Sequence, residues 1–257
     1  MTHGLPAGCI ELGSGDTIVL VHGVASTPAT WVPVIADLAR THRCICPALP
    51  GHGSPAFLTD KIDLDSGVAA IEDLRRFLGL ETLRLAGHSL GAMLAARYAA
   101  VFPKYVAAVA LLATPAFRTT ADRDAGLSLL ASMRKNGIEP VLSRQMGGWY
   151  TPEFAAAHPA ALSERLAQIR GIAPEMLMRA YAVYVDTEIA EWLGQILAPT
   201  LVLSGEAAVG CGAAVAGRMA AALRRASLVI VPGQRNGLLT EVPVRVAEEL
   251  REFFRCH

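Results

Sequence analysis

The sequence has no excess of charge of either sign. Its 23 lysine and arginine residues balance 23 aspartate and glutamate residues, and no long run of like charge occurs. Proteins that hold nucleic acid or an anionic membrane surface electrostatically usually carry a strongly basic patch. The charge balance therefore argues against nucleic acid and against a membrane as the main partner.

Cysteines are few, and they are scattered. The five have no Cys-x-x-Cys spacing, and Cys44 and Cys46 alternate with Ile45 on a predicted strand. This pattern favours reduced thiols in a core over disulfides or a structural zinc site. The first residues, through Leu12, also lack the charged start and apolar run of a secretory signal. We therefore expect a cytoplasmic protein without a bound metal.

Long apolar runs and cofactor motifs are missing as well. The longest apolar stretch, residues 105–117, is interrupted by Thr114 and Pro115 and is too short to span a bilayer. Neither a glycine-rich phosphate loop nor a His-Glu-x-x-His motif occurs, so no cofactor is expected. Hydrophobic residues nevertheless make up 53% of the chain, which is ample material for a large core.

Short strands alternate with helices in the first and last thirds of the chain. Thr17–Val21 predicts a buried strand, and residues 242–254 predict a helix with one apolar stripe. This alternation predicts an α/β fold with a mostly parallel sheet flanked by helices. Strand-like runs vanish over residues 117–193, where helical patterns dominate. We expect a core formed by residues 1–116 and 194–257, with a helical lid at 117–193.

A Gly-x-Ser-x-Gly motif at Gly87, Ser89 and Gly91 lies between a predicted strand and a predicted helix. Both neighbours are required for a nucleophile elbow, a sharp turn that exposes the serine hydroxyl above the sheet. The free N–H groups at the start of the following helix favour negative charge there. The motif predicts that Ser89 is a catalytic nucleophile.

Three phrases, taken in order, resemble the α/β-hydrolase superfamily: Val-His-Gly-Val at 21–24, Pro-Gly-His-Gly at 50–53 and Gly-His-Ser-Leu-Gly at 87–91. The likeness covers residues 15–115 and 198–256. The phrase Gly-Trp-Tyr-Thr-Pro-Glu-Phe at 148–154 is similar to 3-oxoadipate enol-lactonases and their relatives.

The resemblance implies specific roles around Ser89. It implies that the N–H groups of Val24 and Leu90 form an oxyanion hole, which lowers an acyl-transfer barrier by a few kcal/mol. The pocket for a small-molecule substrate is expected at the carboxyl ends of the strands, beneath the lid. Three lid residues are candidates to face the substrate: Trp149, Tyr150 and Met146. The protein itself is expected to be a monomer or a homo-oligomer.

The chain departs from this family at three positions. Ala208 stands where relatives carry the acid of the catalytic triad, and Asn236 stands where they carry the histidine; Ala48 also replaces a usual acid. An asparagine amide cannot accept the proton of Ser89 near pH 7. Loss of the base costs roughly 10⁴ to 10⁶ in turnover. Both a natural loss and a deliberate substitution fit the two altered triad residues.

Substitutes for the missing groups are scarce. Glu206 lies two residues before Ala208, so on an extended segment it would face the same side and replace the acid. His158, in the lid, is a weak candidate for the base. Cys211 is expected to pack near the altered acid position.

The remaining histidines near the motifs are expected to be structural. His22 and His52 are interpreted as turn residues, and the His88 side chain is expected to point away from the pocket. If the likeness to enol-lactonases extends to the substrate, three arginines are candidates to hold a carboxylate: Arg134, Arg144 and Arg170.

Three functions stay open at this stage. The first is a hydrolase-derived enzyme acting on a small organic ester, lactone or ketone-type substrate through Ser89. The second is a lyase, isomerase or cyclase in the same pocket, for which shape and hydrogen-bond donors matter more than a covalent serine. The third is a small-ligand-binding protein that has lost catalysis, because a fold does not fix a function.

Overall fold

The computed structural model describes residues 5–49, 52 and 63–257. The turn-rich phrase at 50–54 lies outside these residues except for His52. The described residues form one seven-stranded sheet with the spatial order β1-β3-β2-β4-β5-β6-β7. Its strands are β1 Ile10–Leu12, β2 Thr17–Val21, β3 Arg43–Cys46, β4 Leu83–His88, β5 Val106–Leu112, β6 Thr200–Gly205 and β7 Ala226–Val231.

The sheet is mostly parallel. Only β1 runs antiparallel, against β3, and every other neighbouring pair of described strands is parallel. β2 shows why: its Thr-Ile-Val-Leu-Val sequence is buried from Ile18 onward, as expected for a strand covered on both faces. The prediction of a mostly parallel sheet flanked by helices is confirmed.

Helices cover both faces of this sheet. On one face α2 and α3 pack with α10, and on the other α1 packs against α12. These helices are α1 Val32–Leu38, α2 Leu64–Phe77, α3 Leu90–Val101, α10 Ala213–Ala222, α11 Leu238–Glu241 and α12 Pro243–Arg255. α12 begins with a proline, which suits the first helical position, and it buries Val246, Leu250 and Phe253 on one stripe.

Six consecutive helices lie between β5 and β6 in the described chain. They are α4 Thr120–Asn136, α5 Ile138–Trp149, α6 Pro152–Ala157, α7 Pro159–Arg170, α8 Pro174–Asp186 and α9 Ala190–Leu193. α4, α5, α7 and α8 enclose an apolar cluster of their own, around Leu142, Ile169 and Leu177. We call α4–α9 the helical insertion; that residues 117–193 act as a lid stays a prediction. No helix in the described ranges is long and apolar enough to cross a membrane.

Candidate active site

The sharp turn between β4 and α3 carries Ser89 in a backbone conformation that non-glycine residues rarely adopt. Its φ is 55° and its ψ is −118°. A Cβ at Gly87 would overlap the Gly91 main chain, and one at Gly91 would overlap the main-chain oxygen of Val21. The two glycines therefore permit the backbone approach that holds this turn.

Ser89 lines a cavity of about 100 Å³ at the carboxyl ends of the parallel strands. Ligands of α/β proteins usually bind at this edge of the sheet. The loop after β2 forms one wall, and residues of α5, α7 and α8 form another. The segment 236–240 closes a third side. The volume lies below the roughly 300–1,000 Å³ of most ligand pockets, which suits a small substrate.

The candidate oxyanion-hole residues lie close to Ser89. Gly23 approaches so closely that its ideal Cβ would be 3.1 Å from the Ser89 Cβ. The next residue, Val24, lines the cavity, and Ala25 then takes a left-handed φ of 55°. Leu90 is the first residue of α3, so its N–H has no acceptor within the helix. The positions fit two free donors, and their catalytic role stays a prediction.

The two altered triad positions lie together. Ala208 is buried, and the side chain of Asn236 is turned toward the adjoining residues: its Oδ1 accepts from the Val209 N–H at 3.1 Å, and its Nδ2 donates to the Cys211 Sγ at 3.2 Å. Burial raises the pKa of Cys211 to about 12, so its thiol stays protonated. Neither the amide nor the thiol is a base for Ser89 near pH 7.

The structure does not bring Glu206 to the cavity. Its carboxylate accepts a hydrogen bond from the Gly233 N–H at 2.9 Å, and its side chain is exposed. The expectation assumed an extended segment, but the chain turns here: the Ala208 N–H donates to the Gly205 oxygen at 3.2 Å. Residues two apart therefore do not share a face, and Glu206 is not placed to replace the acid.

The His88 ring lines the cavity, so the expectation that it points away is wrong. Its Nε2 lies 3.1 Å from the main-chain oxygen of Asn236, and its Nδ1 faces Gly23. Because a carbonyl only accepts, Nε2 carries the proton and Nδ1 carries the lone pair. Burial lowers the pKa of His88 to about 4, and the charge of Arg165 contributes to this. A neutral ring with so low a pKa is a weak base.

The other histidines have separate environments. His22 is fully buried; its Nδ1 donates to the Gly23 oxygen at 2.9 Å and its Nε2 accepts from the Leu49 N–H at 3.0 Å. The ring of His52 packs against it, with centroids 5.2 Å apart. His158 is exposed and stacks on Phe154, so the structure does not place it in the cavity.

Arg165, on α7, lines the cavity, and the sequence reasoning missed it. Its guanidinium lies 5.7 Å from the ring centre of Trp149, and its Nη1 donates weakly to the Gln168 Oε1 at 3.4 Å. Burial lowers the pKa of Arg165, although a guanidinium remains charged at any physiological pH. The sequence did carry one indication of this position: Arg165 lies three residues after Leu162 and four before Ile169, which places it on the inward face of α7.

The three arginines expected to hold a carboxylate lie elsewhere, and that expectation is corrected. Arg134 and Arg170 line a second cavity inside the helical insertion, and Arg170 pairs with Glu139. Arg144 is exposed on α5. Their sequence positions gave no indication of which helix face they occupy.

The corner between α5 and α6, which carries Trp149 and Tyr150, is hydrogen-bonded to the segment after β7. Arg235 donates from Nη1 to the main-chain oxygens of Gly147 and Tyr150 at 2.7 and 3.0 Å. The Gly237 N–H donates to the Trp149 oxygen at 2.8 Å. Trp149, the predicted substrate-binding residue, is thereby held in the cavity wall.

The described residues contain no cluster of three or more histidine, cysteine or acidic side chains that could hold a metal ion.

Residues 16–240 match a family model described as alpha/beta hydrolase fold. The chain is 24% identical over 256 residues to (E)-2-((N-methylformamido)methylene)succinate hydrolase from Acinetobacter baylyi, covering 98% of this chain and 95% of that protein. A shorter similarity, 34% over 117 residues, joins it to cis-3-alkyl-4-alkyloxetan-2-one decarboxylase from Shewanella oneidensis, covering 42% of this chain and 35% of that protein.

Solved structures resemble the whole fold. An enol-lactonase from Burkholderia xenovorans superposes with a TM-score of 0.87 at 18% identity, covering 96% of this chain and 95% of that chain. A malate-bound thermophilic esterase from Thermogutta terrifontis gives 0.87 at 22% identity, covering 96% and 92%. At these identities the likeness concerns the fold alone.

Proposed function

The chain belongs to the α/β-hydrolase family, and within it we propose an enzyme that acts on a small organic ester, lactone or ketone-type substrate through the Ser89 cavity. The observation that carries this proposal is the strained turn that presents Ser89 in the lining of that cavity. Such strain persists only where the surrounding structure enforces it, and it is typical of functional sites.

The proposed chemistry starts from the hydroxyl of Ser89. Its oxygen attacks the carbonyl carbon of the ester or lactone, and the N–H groups of Val24 and Leu90 stabilise the negative charge that develops on the carbonyl oxygen. The bond between that carbon and the alkoxy oxygen then breaks, the alkoxy oxygen leaves with a proton, and water later cleaves the acyl-serine. In relatives with a complete triad a histidine takes the serine proton. Here Asn236 stands in that place with its amide bonded to Val209 and Cys211, so the proton must leave to solvent or to the substrate and acylation is slow.

A restored triad tests this proposal. We expect the variant carrying both Ala208→Asp and Asn236→His to react with a fluorophosphonate probe, and to hydrolyse short esters and lactones, at least about 10³-fold faster than the unaltered chain. Adding Ser89→Ala should abolish the gain. If the restored variant folds but gains nothing, the cavity is not built for serine acylation and the proposal is rejected.

A lyase, isomerase or cyclase is the second candidate. It is favoured by the bonded amide of Asn236, which fixes a polar wall without any proton acceptor, and one relative is named as a decarboxylase. Such an enzyme would keep most of its activity in the Ser89→Ala variant. Loss of that activity would instead favour the serine mechanism. A ligand that binds to the unaltered chain without any turnover would indicate a binding protein.

A further inference from the structure

A second feature of the cavity, the guanidinium of Arg165, has no acidic partner. Among the described residues that line the cavity, none is an aspartate or a glutamate. No ion pair joins Arg165 to any other described residue. Its neighbours are the side chain of Tyr150, with which it shares a hydrogen bond, the Trp149 ring at 5.7 Å and the Gln168 amide oxygen at 3.4 Å. The last two contacts lie at the outer limit of a cation–π interaction and of a hydrogen bond, and none of the three partners is a carboxylate.

The other arginines of residues 117–193, which include the helical insertion, show that this is unusual. Four of them face a carboxylate within 4 Å: Arg118 with Glu188, Arg123 with Asp186, Arg170 with Glu139 and Arg179 with Glu175. Two more, Arg134 and Arg144, are exposed to solvent. Among these arginines Arg165 alone is partly buried, lines the Ser89 cavity and has no carboxylate partner.

The rest of the cavity offers no compensating charge. The buried tyrosines there are neutral, because burial raises the pKa of Tyr184 to about 12 and raises that of Tyr181 as well. His88 is neutral too. A partly buried charge without a counter-charge is unfavourable, so a cavity that keeps one is suited to an anion.

We propose that Arg165 binds a carboxylate of the substrate, so that the substrate class is a short organic acid that also carries the reacting ester, lactone or ketone group. The planar guanidinium matches the two oxygens of a carboxylate. The cavity of about 100 Å³ places this anion close to Ser89 and restricts the chain between the two groups to a few carbon atoms. This inference rests on the proposed use of the cavity as the substrate site.

Two ligands of equal size test the inference without any turnover. Succinamic acid and succinamide differ only by a carboxylate in place of an amide, and calorimetry measures their binding to the unaltered chain. We expect the acid to bind at least about 10-fold more tightly. Arg165→Met should remove this preference, and Arg165→Lys should retain part of it, since lysine keeps the charge but not the planar fork.

Arg144→Met is the matched control, because Arg144 is an exposed arginine of the same insertion outside the cavity; it should leave the preference unchanged. A thermal unfolding midpoint near that of the unaltered chain separates a lost binding group from a lost fold in Arg165→Met. The inference is overturned if acid and amide bind equally at the malonic, succinic and glutaric chain lengths, or if the preference survives Arg165→Met.

The outcomes for the two proposals are distinguishable. If the acid preference depends on Arg165 but the restored triad gains no acylation, the proposed serine chemistry is rejected and the anion site at Arg165 is supported. If the restored triad is rapidly acylated but no acid preference is found, the serine chemistry is supported and the anion site is rejected.

Discussion

The imidazole of His88 donates a hydrogen bond from Nε2 to the main-chain oxygen of Asn236, at 3.1 Å. The bond joins the end of β4 to the segment after β7, across 148 positions of sequence. It therefore holds the residue at the altered histidine position against the turn that carries Ser89.

Replacing His88 by phenylalanine should loosen this link. Phenylalanine keeps an aromatic ring, slightly larger than the imidazole, but the Asn236 oxygen loses its donor, and we expect a destabilisation of about 1 kcal/mol or more in urea unfolding. The backbone amide of Gly237 should also exchange its hydrogen faster. His158→Phe is the control, because His158 is exposed, and it should change stability by less than about 0.5 kcal/mol. Equal stability of the two variants would show that the bond contributes nothing.

Gly91→Ala should disrupt the turn at Ser89. The new methyl group would overlap the main-chain oxygen of Val21, where neither partner is a flexible side chain. We expect a loss of about 3 kcal/mol or more in the free energy of unfolding, or no folded protein. Gly217→Ala, on α10, meets nothing within 4 Å and should be neutral or stabilising by up to about 1 kcal/mol. A folded Gly91→Ala protein as stable as Gly217→Ala would contradict the close approach.

Acid should destabilise the fold through its buried histidines. Burial lowers the pKa of His88 to about 4 and lowers that of His22 well below its usual 6.5; His52 and Arg165 contribute to the shift of His22. Below pH 6.5 the unfolded chain therefore binds protons that the folded chain does not. Stability is fully present above that pH and falls as the pH drops toward 4, by on the order of 3 kcal/mol from His88 alone.

Urea midpoints measured at pH 7, 6, 5 and 4 check this dependence. His88→Phe should flatten the decline, since it removes one of the titrating groups. A stability that stays constant between pH 7 and pH 4 would mean that these rings take up protons in the folded chain as readily as in the unfolded chain, and would contradict the lowered pKa values.

Local sequence patterns predicted correctly those features that depend only on residues close together in the chain. The Gly-x-Ser-x-Gly phrase between a strand and a helix predicted the turn at Ser89, and the end of strand patterns near residue 117 predicted the run of helices that starts at Thr120. These features depend on neighbours along the chain, which a single sequence displays directly.

The wrong expectations all concern side-chain direction. Glu206 was assigned to the cavity side by strand alternation, but a turn begins at Gly205. His88 faces the cavity, where its Nε2 donates a hydrogen bond to the main-chain oxygen of Asn236, from a distant segment. Arg165 differs from the other arginines of its insertion only in what surrounds it after folding. Tertiary packing decides each case, and spacing alone does not encode it.

The last prediction concerns the Arg235 guanidinium, which holds the cavity wall that contains Trp149. It donates to the main-chain oxygens of Gly147 and Tyr150, while the neighbouring Thr151 donates from N–H and hydroxyl to the Glu241 carboxylate. Hydrogen bonds of a charged donor contribute about 1.5–3 kcal/mol. Arg235→Met should therefore raise hydrogen exchange across residues 147–151 by about 10-fold or more, measured by mass spectrometry.

Arg255→Met serves as its control, because Arg255 pairs with Glu252 on the exposed side of α12; exchange at 147–151 should not change there. Glu241→Gln separates the two anchors, because its amide can accept from Thr151 but without the negative charge. It should speed exchange at Thr151 and leave Gly147 protected as long as Arg235 is present. If Arg235→Met leaves exchange at 147–151 unchanged, the corner is held by its packing, and the arginine contacts are incidental to the shape of the cavity.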